Sequence, residues 1–251
     1  MRIRVFATSR HAARALARSI AGSLASNPAL VLGLPTGRTP IPLYEDLVAL
    51  CRSRRVSFRR ATTFNLDEFL GIDPGDPRSY RAFMQRHLFD HVDLPRRQIH
   101  FLNGATRDPI RECARYERAI AHAGGIDLQI LGLGTNGHIG FNEPGRALVA
   151  RTHQTRLSAP TRRANAGLFG GRMSAVPREA LSMGMATILH ARRIVLLATG
   201  ASKAGCVARM VDGPLTPRLP ASFLQLHRHV EVWLDRAAAR NLNQGDRGRA
   251  V

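Results

Sequence analysis

The residues best suited to acid–base chemistry lie in two short segments of this 251-residue chain. Asp67 and Glu68 form an adjacent carboxylate pair, and His138 stands in a glycine-rich loop five residues before Glu143. Buried or mutually repelling carboxylates can exchange protons near neutral pH, and a carboxylate near an imidazole raises its basicity and fixes its tautomer. The pattern predicts a proton-transfer site, although each group taken alone also suits a structural role.

Two further loops have the residue types of an anion site. The loop 36–40, Thr36-Gly37-Arg38-Thr39-Pro40, lies between a predicted strand and a predicted helix, where unpaired backbone N–H groups favour phosphate. Lys203 follows another strand and is the one lysine among 37 basic residues. A compact ammonium differs from a guanidinium in how it binds anions, which favours a functional role for Lys203 over that of an ordinary surface lysine.

The glycine-rich loop also matches part of the dinucleotide fingerprint, with Gly132, Gly134 and Gly137 at the required spacing. That fingerprint needs an acidic residue about 20 positions later, and this chain has no acid between Glu143 and Glu179. A nicotinamide enzyme is therefore disfavoured. No HExxH or paired-cysteine spacing accompanies His138, so neither a metal nor a cofactor is predicted.

Alternating strands and helices must position these loops. Apolar runs predict strands at 1–6, 29–34, 62–66, 126–133, 193–198 and 229–234, and helices at 41–51, 79–90 and 110–123, with Ser9 capping a first helix. This alternation predicts an α/β fold, a Rossmann-like, doubly wound, mostly parallel sheet with helices on both faces. Ligands of such sheets bind at the carboxyl ends of the strands.

The chain is expected to form one domain over residues 1–251, with two atypical stretches. Residues 145–180 contain seven arginines and several glycines but only one acid, Glu179, which suits either a lid over an anionic substrate or a solvated basic loop. The polar tail 240–251 is expected to fray.

The net charge of +19 makes nucleic acid and phosphorylated metabolites candidate partners. The arginines are spread along the whole chain rather than clustered, so no specific nucleic-acid partner is predicted. No run reaches the roughly 20 apolar residues that span a bilayer, and no membrane partner is expected. Three scattered cysteines and the absence of a secretory pattern predict a cytoplasmic protein.

Five motifs occur together and in order, and this combination resembles the glucosamine/galactosamine-6-phosphate isomerase family over nearly the whole chain. They are Leu34-Pro35-Thr36-Gly37, Thr63-Phe64-Asn65-Leu66-Asp67-Glu68-Phe69, Ser79-Tyr80, Gly134-Thr135-Asn136-Gly137-His138-Ile139-Gly140-Phe141-Asn142-Glu143-Pro144 and Gly200-Ala201-Ser202-Lys203. The resemblance implies a Rossmann-like fold without a dinucleotide. It also implies an isomerisation joined to deamination, in which glucosamine 6-phosphate and water give fructose 6-phosphate and ammonia.

The resemblance also implies a role for each site residue. His138 would open the sugar ring, oriented by Asn136 and Glu143, and Asp67 would move a proton from C2 to C1. The sugar phosphate would bind Lys203 and the loop residues Thr36, Gly37, Arg38 and Thr39. An amino-sugar phosphate is therefore the expected small-molecule partner.

Two positions depart from the family pattern, and several alternatives stay open. Gly167 stands where the family has a phosphate-binding arginine, and Arg38 stands where it usually has a small residue. Arg38 is our first candidate for the replacement charge, ahead of Arg163 and Arg172. The alternatives are the galactosamine 6-phosphate epimer as substrate, a lactonase, which the intact Asp67 motif disfavours, and a non-catalytic sugar-phosphate sensor. A homo-oligomer is possible.

Overall fold

A computed structural model of the protein describes residues 1–243. Its ten strands are β1 (Arg2–Phe6), β2 (Val31–Leu34), β3 (Thr62–Asn65), β4 (Asp67–Phe69), β5 (Ile99–His100), β6 (Leu128–Leu131), β7 (His153–Arg156), β8 (Glu179–Ser182), β9 (Arg193–Ala198) and β10 (Val230–Asp235). Seven of them form one parallel sheet in the order β1-β10-β9-β6-β2-β3-β5. The predicted mostly parallel sheet is confirmed, and all six predicted strands belong to it.

Within residues 1–243, seven α-helices connect the strands: α1 (Ser9–Ser26), α2 (Ile41–Arg52), α3 (Tyr80–His87), α4 (Pro109–His122), α5 (Ala159–Asn165), α6 (Met185–Leu189) and α7 (Ala204–Asp212). The predicted cap of α1 is wrong, because the Thr8 hydroxyl accepts the His11 N–H and Ser9 is already helical. The predicted helix 79–90 is too long. Ser79 caps α3, which ends at His87 and gives way to a short 3-10 turn.

The helices divide between the two faces of the sheet, as the sequence predicts for a doubly wound fold. One core cluster buries residues of α1, α2 and α3 against the sheet, and the other buries residues of α4, α6 and α7. The chain leaves β2 towards β3 on one side, whereas β6 is followed by β9 and β10 on the other. The strand order therefore reverses between β2 and β6, where ligands of such sheets bind.

A second, antiparallel sheet of three short strands was not predicted. Its order is β4-β8-β7, and it pairs Asp67 with Ser182 and Ser182 with His153. The strands of this sheet are three or four residues long, and β7 reads His-Gln-Thr-Arg, so no apolar run marks them. The residues between β7 and β8 include α5, which this small sheet holds beside the parallel one.

The frayed tail expected from Arg240 does not begin there, because Leu242 is buried in the second core cluster. Most of the predicted tail, residues 244–251, lies outside the described residues. Among residues 1–243, no helix has the length and apolarity needed to cross a membrane.

Candidate active site

Loops from the ends of four parallel strands meet at one cavity of about 730 Å³. These strands are β2, β3, β6 and β9, which lie side by side in the centre of the sheet. Every predicted site residue except Glu143 lines this cavity: Thr36, Gly37, Arg38, Thr39, Asp67, Asn136, His138 and Lys203. Glu143 does not line the cavity, but it contacts Asn136 and His138, which do. The topology thus brings together side chains that are up to 167 positions apart in sequence.

The two adjacent carboxylates point to different surroundings because successive side chains of a strand alternate. Asp67 lines the cavity and is buried. Burial and the neighbouring Glu68 raise the pKa of Asp67 to about 8. Glu68 instead accepts the backbone N–H groups of Phe69, Tyr80 and Arg81 at 2.9–3.0 Å. Glu68 therefore ties β4 to the start of α3, and Asp67 alone is the carboxylate available for proton transfer.

His138 belongs to a polar group of three side chains on the loop after β6. Asn136 donates its Nδ2 hydrogen to Glu143 Oε2 at 2.9 Å, and its Oδ1 accepts the backbone N–H of His138 at 3.2 Å. The same Glu143 oxygen lies 3.8 Å from Nδ1 of His138. That separation gives electrostatic attraction without a direct hydrogen bond. Asn136 therefore fixes the carboxylate beside the imidazole.

Gly134 allows the imidazole to take its place. A Cβ on this residue would lie 2.4 Å from Cε1 and Nδ1 of His138. That distance is far below any contact between carbon and ring atoms, so every larger residue at position 134 would displace the ring. The glycine spacing that suggested a dinucleotide loop has, in this fold, a role in packing the histidine.

Burial and neighbouring charges shift the pKa values of the imidazole and the lysine. Burial lowers the pKa of His138, the Glu143 carboxylate opposes this shift, and the Lys203 ammonium adds to it. Burial likewise lowers the pKa of Lys203, and the charge of Arg38 lowers it further. The two cations must therefore lie close enough to repel each other, and a bound anion would relieve that repulsion.

Three cations line the cavity: Arg38, Arg163 and Lys203. Within residues 1–243 none of them forms an ion pair with a carboxylate. Gly167 also lines the cavity, and a Cβ there would have no atom within 4 Å. The wall at position 167 is therefore open, with room for a long side chain.

The loop after β2 has the geometry of an anion site. Gly37 has a φ of 93°, a left-handed conformation that favours glycine. Within the described part of the chain, the backbone N–H groups of Gly37, Arg38 and Thr39 donate to no protein acceptor. Unpaired N–H groups before a helix, here α2, attract anions such as phosphate.

Sequence reasoning missed three side chains that line the cavity opposite the strand ends. Thr161 and Asn165 belong to α5, and Tyr80 starts α3. The Tyr80 hydroxyl donates to Asn165 Oδ1 at 2.9 Å and interacts with the Thr36 side chain. The Ser79-Tyr80 motif was the available signal for Tyr80, whereas nothing in the sequence marks the α5 residues.

Residues 1–243 contain no cluster of three or more histidine, cysteine or carboxylate side chains arranged to hold a metal ion. The titratable and polar groups at the cavity are one buried carboxyl, one imidazole with its acid and amide neighbours, and three cations.

A family model described as glucosamine-6-phosphate isomerases/6-phosphogluconolactonase matches residues 6–233. A glucosamine-6-phosphate deaminase of Bacillus pumilus is 48% identical over 219 residues, which cover 87% of this chain and 90% of that protein. A glucosamine-6-phosphate deaminase of Clostridium botulinum is 42% identical over 243 residues and covers 97% of this chain and 99% of its own.

Solved structures give the same picture. A monomeric glucosamine-6-phosphate deaminase superposes with a TM-score of 0.92 at 40% identity, covering 96% of this chain and all of its own. A 6-phosphogluconolactonase from Trypanosoma cruzi superposes with a TM-score of 0.76 at 21% identity, covering 96% and 97%, a likeness that shows the fold alone.

Proposed function

Since the chain belongs to the glucosamine-6-phosphate isomerase/6-phosphogluconolactonase family, we propose that it acts as a glucosamine-6-phosphate deaminase through the residues of this cavity. The enzyme converts glucosamine 6-phosphate and water to fructose 6-phosphate and ammonia, a reaction of amino-sugar metabolism. The observation that supports this best is the meeting of a buried carboxyl, a supported imidazole and three unpaired cations in one cavity. The cytoplasm is its proposed compartment.

The imidazole performs the first step in this mechanism. His138 takes the proton of the C1 hydroxyl and delivers it to the ring oxygen, which opens the pyranose. The nearby Glu143 carboxylate stabilises the transient imidazolium, and Asn136 holds that carboxylate in place. The buried position of His138 keeps the ring neutral before substrate binds, so that it can accept a proton.

Asp67 performs the isomerisation. As a carboxylate it removes the proton from C2 of the open sugar, giving an enolamine, and it then returns that proton to C1. The carbon that bears nitrogen becomes an iminium, water adds to it, and ammonia leaves as the ketone forms. An ammonium on the substrate beside Asp67 would favour the carboxylate form, which offsets the rise in the Asp67 pKa caused by burial and Glu68.

The phosphate anchors the substrate at the other end of the cavity. Lys203, Arg38 and the N–H groups of the loop after β2 surround it in this proposal, with the hydroxyls of Thr36 and Thr39. Binding energy from the unreactive phosphate orients the reacting carbons between His138 and Asp67.

Ammonia release from glucosamine 6-phosphate tests the proposed function directly, with galactosamine 6-phosphate as the epimer control. We expect turnover of the gluco compound and its loss in Asp67→Asn, which keeps the size of the side chain. Turnover of the galacto compound alone would identify galactosamine 6-phosphate as the substrate. Binding of both without turnover, by a folded protein, would indicate a sensor.

The replacement of the missing arginine by Arg38 has its own test. Removal of a charge-assisted contact costs about 1.5–3 kcal/mol, so we expect Arg38→Ser to raise KM about 10- to 100-fold with a smaller change in kcat. Because position 167 has room for a long side chain, the double variant Arg38→Ser/Gly167→Arg should recover much of the lost affinity.

Arg163→Ser is the matched comparison, since Arg163 also lines the cavity and lies one helical turn before position 167. A steep rise in KM in Arg163→Ser, with none in Arg38→Ser, would show that Arg163 rather than Arg38 replaces the missing phosphate-binding arginine.

A further inference from the structure

A side-chain hydroxyl of α5, outside the loop that contains His138, contacts the Nδ1 edge of the imidazole. The Thr161 hydroxyl lies 3.5 Å from Nδ1, whereas Glu143 Oε2 lies 3.8 Å away. Thr161 is only 2% exposed, so this hydroxyl faces the imidazole without competition from bulk water. Contacts of this length around a proton-transfer group often shorten when substrate binds.

The start of α5 holds the Thr161 hydroxyl in a defined orientation. Ser158 caps the helix: its Oγ accepts the Thr161 N–H at 3.3 Å and donates to Thr161 Oγ1 at 3.1 Å. One lone pair of Oγ1 is thereby occupied. Its hydrogen and its second lone pair remain for the imidazole, so the hydroxyl can partner Nδ1 with or without a proton there.

The far end of α5 is tied to the start of α3. Asn165 accepts the Tyr80 hydroxyl at 2.9 Å and donates to Thr161 O at 3.0 Å. Polar contacts therefore run from Tyr80 through α5 to the imidazole. The docking of α5 therefore sets both the Tyr80–Asn165 contact and the Thr161–His138 contact.

We propose that Thr161 is a positioning residue for His138, and that its hydroxyl holds the Nδ1 edge of the imidazole whenever α5 is docked. With Nδ1 facing Thr161 and Glu143, the Nε2 edge is the one presented to the sugar. The inference rests on the proposed function, because the proton that His138 moves during ring opening is the reason its orientation matters. The charged groups that face this ring are Glu143 on its own loop and Lys203 after β9.

Thr161→Val and Thr161→Ser test the proposal, since valine keeps the shape and serine keeps the hydroxyl. We expect kcat for ammonia release to fall about tenfold in the valine variant, with KM within about twofold, and to recover in the serine variant. Thr187→Val is the matched control. It removes another buried hydroxyl, which donates to Glu117 outside the cavity, and should leave kcat unchanged.

Ring ¹⁵N spectra supply a readout that does not depend on turnover. The His138 signals, assigned with a His138→Gln variant, should show one neutral tautomer in the native protein. In Thr161→Val the Nδ1 shift should change more than the Nε2 shift, because Nδ1 loses its hydroxyl partner. A purely structural role would lower the melting temperature without moving these signals.

Three outcomes separate the possibilities. Unchanged kcat and unchanged His138 shifts in Thr161→Val would overturn the positioning role, even if the native protein releases ammonia. Absence of ammonia release by the native protein would remove the proposed function, while altered shifts would still establish the Thr161 contact. If Thr161→Val does not fold, Tyr80→Phe replaces it: unchanged His138 shifts there would count against control by α5 docking.

Discussion

The two walls of the cavity are built in different ways. The strand-end wall consists of the loops after β2, β3, β6 and β9 and carries Asp67 and His138. The α5 wall consists of α5 with the short 3-10 turn Ala166–Phe169. The strand-end loops follow buried strands in the middle of a parallel sheet, whereas the α5 wall belongs to a basic segment joined to the small antiparallel sheet.

Side-chain contacts hold the α5 wall against the rest of the protein. Phe169 packs edge-to-face on Phe69 at 5.4 Å, and the Arg78 guanidinium covers the Phe169 ring at a similar distance. The Tyr80–Asn165 hydrogen bond adds one polar contact. The comparison teaches that the groups proposed for bond making lie on the strand-end wall, and that the α5 wall contacts one of them, His138, through Thr161. Substitutions on the α5 wall should therefore act through the docking of α5 and have smaller effects than the loss of a reacting group.

Asp67→Asn should give the largest effect, on the strand-end wall. Loss of a general base typically lowers kcat by 10²–10⁴-fold, and we expect the upper part of that range because one carboxyl serves both proton transfers. Its KM should change much less, because the phosphate contacts remain. Measurement of kcat and KM for ammonia release checks both values.

The same variant should be more stable than the native protein at alkaline pH. Folding raises the Asp67 pKa from 3.8 to about 8, so this group favours the folded state below pH 4 and loses that contribution as the pH rises through 8. Asparagine has no such loss. Urea unfolding should show a gain of roughly 2–5 kcal/mol above pH 8 that shrinks towards pH 4; a pH-independent difference would contradict the raised pKa.

Gly134→Ala should give the next largest effect, since the added methyl group enters the space of the His138 ring. We expect kcat to fall about a hundredfold while the chain stays folded. Gly22→Ala is the control, because nothing lies within 4 Å of its new methyl group in α1. It should stabilise the protein by about 0.5–1 kcal/mol without changing activity. Equal kcat values for the two variants would argue against the close packing of the ring.

Phe169→Ala should give the smallest effect and should act on the α5 wall. Loss of the contacts with Phe69 and Arg78 shifts part of the population away from the docked position of α5. We expect kcat to fall about threefold and KM to rise by a similar factor, because both the Thr161 contact with His138 and the enclosure of the substrate depend on that docking. Phe89→Ala removes a similar edge-to-face contact outside the cavity, with Phe101, and should lower stability only. Unchanged kcat and KM in Phe169→Ala would contradict this dependence on the docking of α5.

Much more of the strand-end wall than of the α5 wall can be predicted from the sequence. Buried apolar runs give the strands, and the glycine-rich and polar residues that follow them identify Asp67, His138 and Lys203. The antiparallel strands lack such a run, so the element that contains Asp67 itself, β4, was missed. The alternate directions of Asp67 and Glu68 follow from that strand.

The α5 contacts could not be predicted because they depend on docking between distant parts of the chain. Tyr80 and Asn165 are 85 positions apart, and Thr161 lies 23 positions from His138. Neither pair has a characteristic spacing. Their proximity comes from the small sheet, which brings the basic segment back over the loops.

The replacement of lysine by arginine throughout the chain has a consequence for chemical labelling. Lys203 has the one side-chain primary amine in 251 residues, and it faces the cavity. Its lowered pKa gives it more of the nucleophilic free-base form at neutral pH than an exposed lysine has. Apart from the amino terminus, a small acylating reagent would find its target inside the cavity. The intact mass of the treated protein would then report occupancy of the site, because a bound phosphate ester shields that amine.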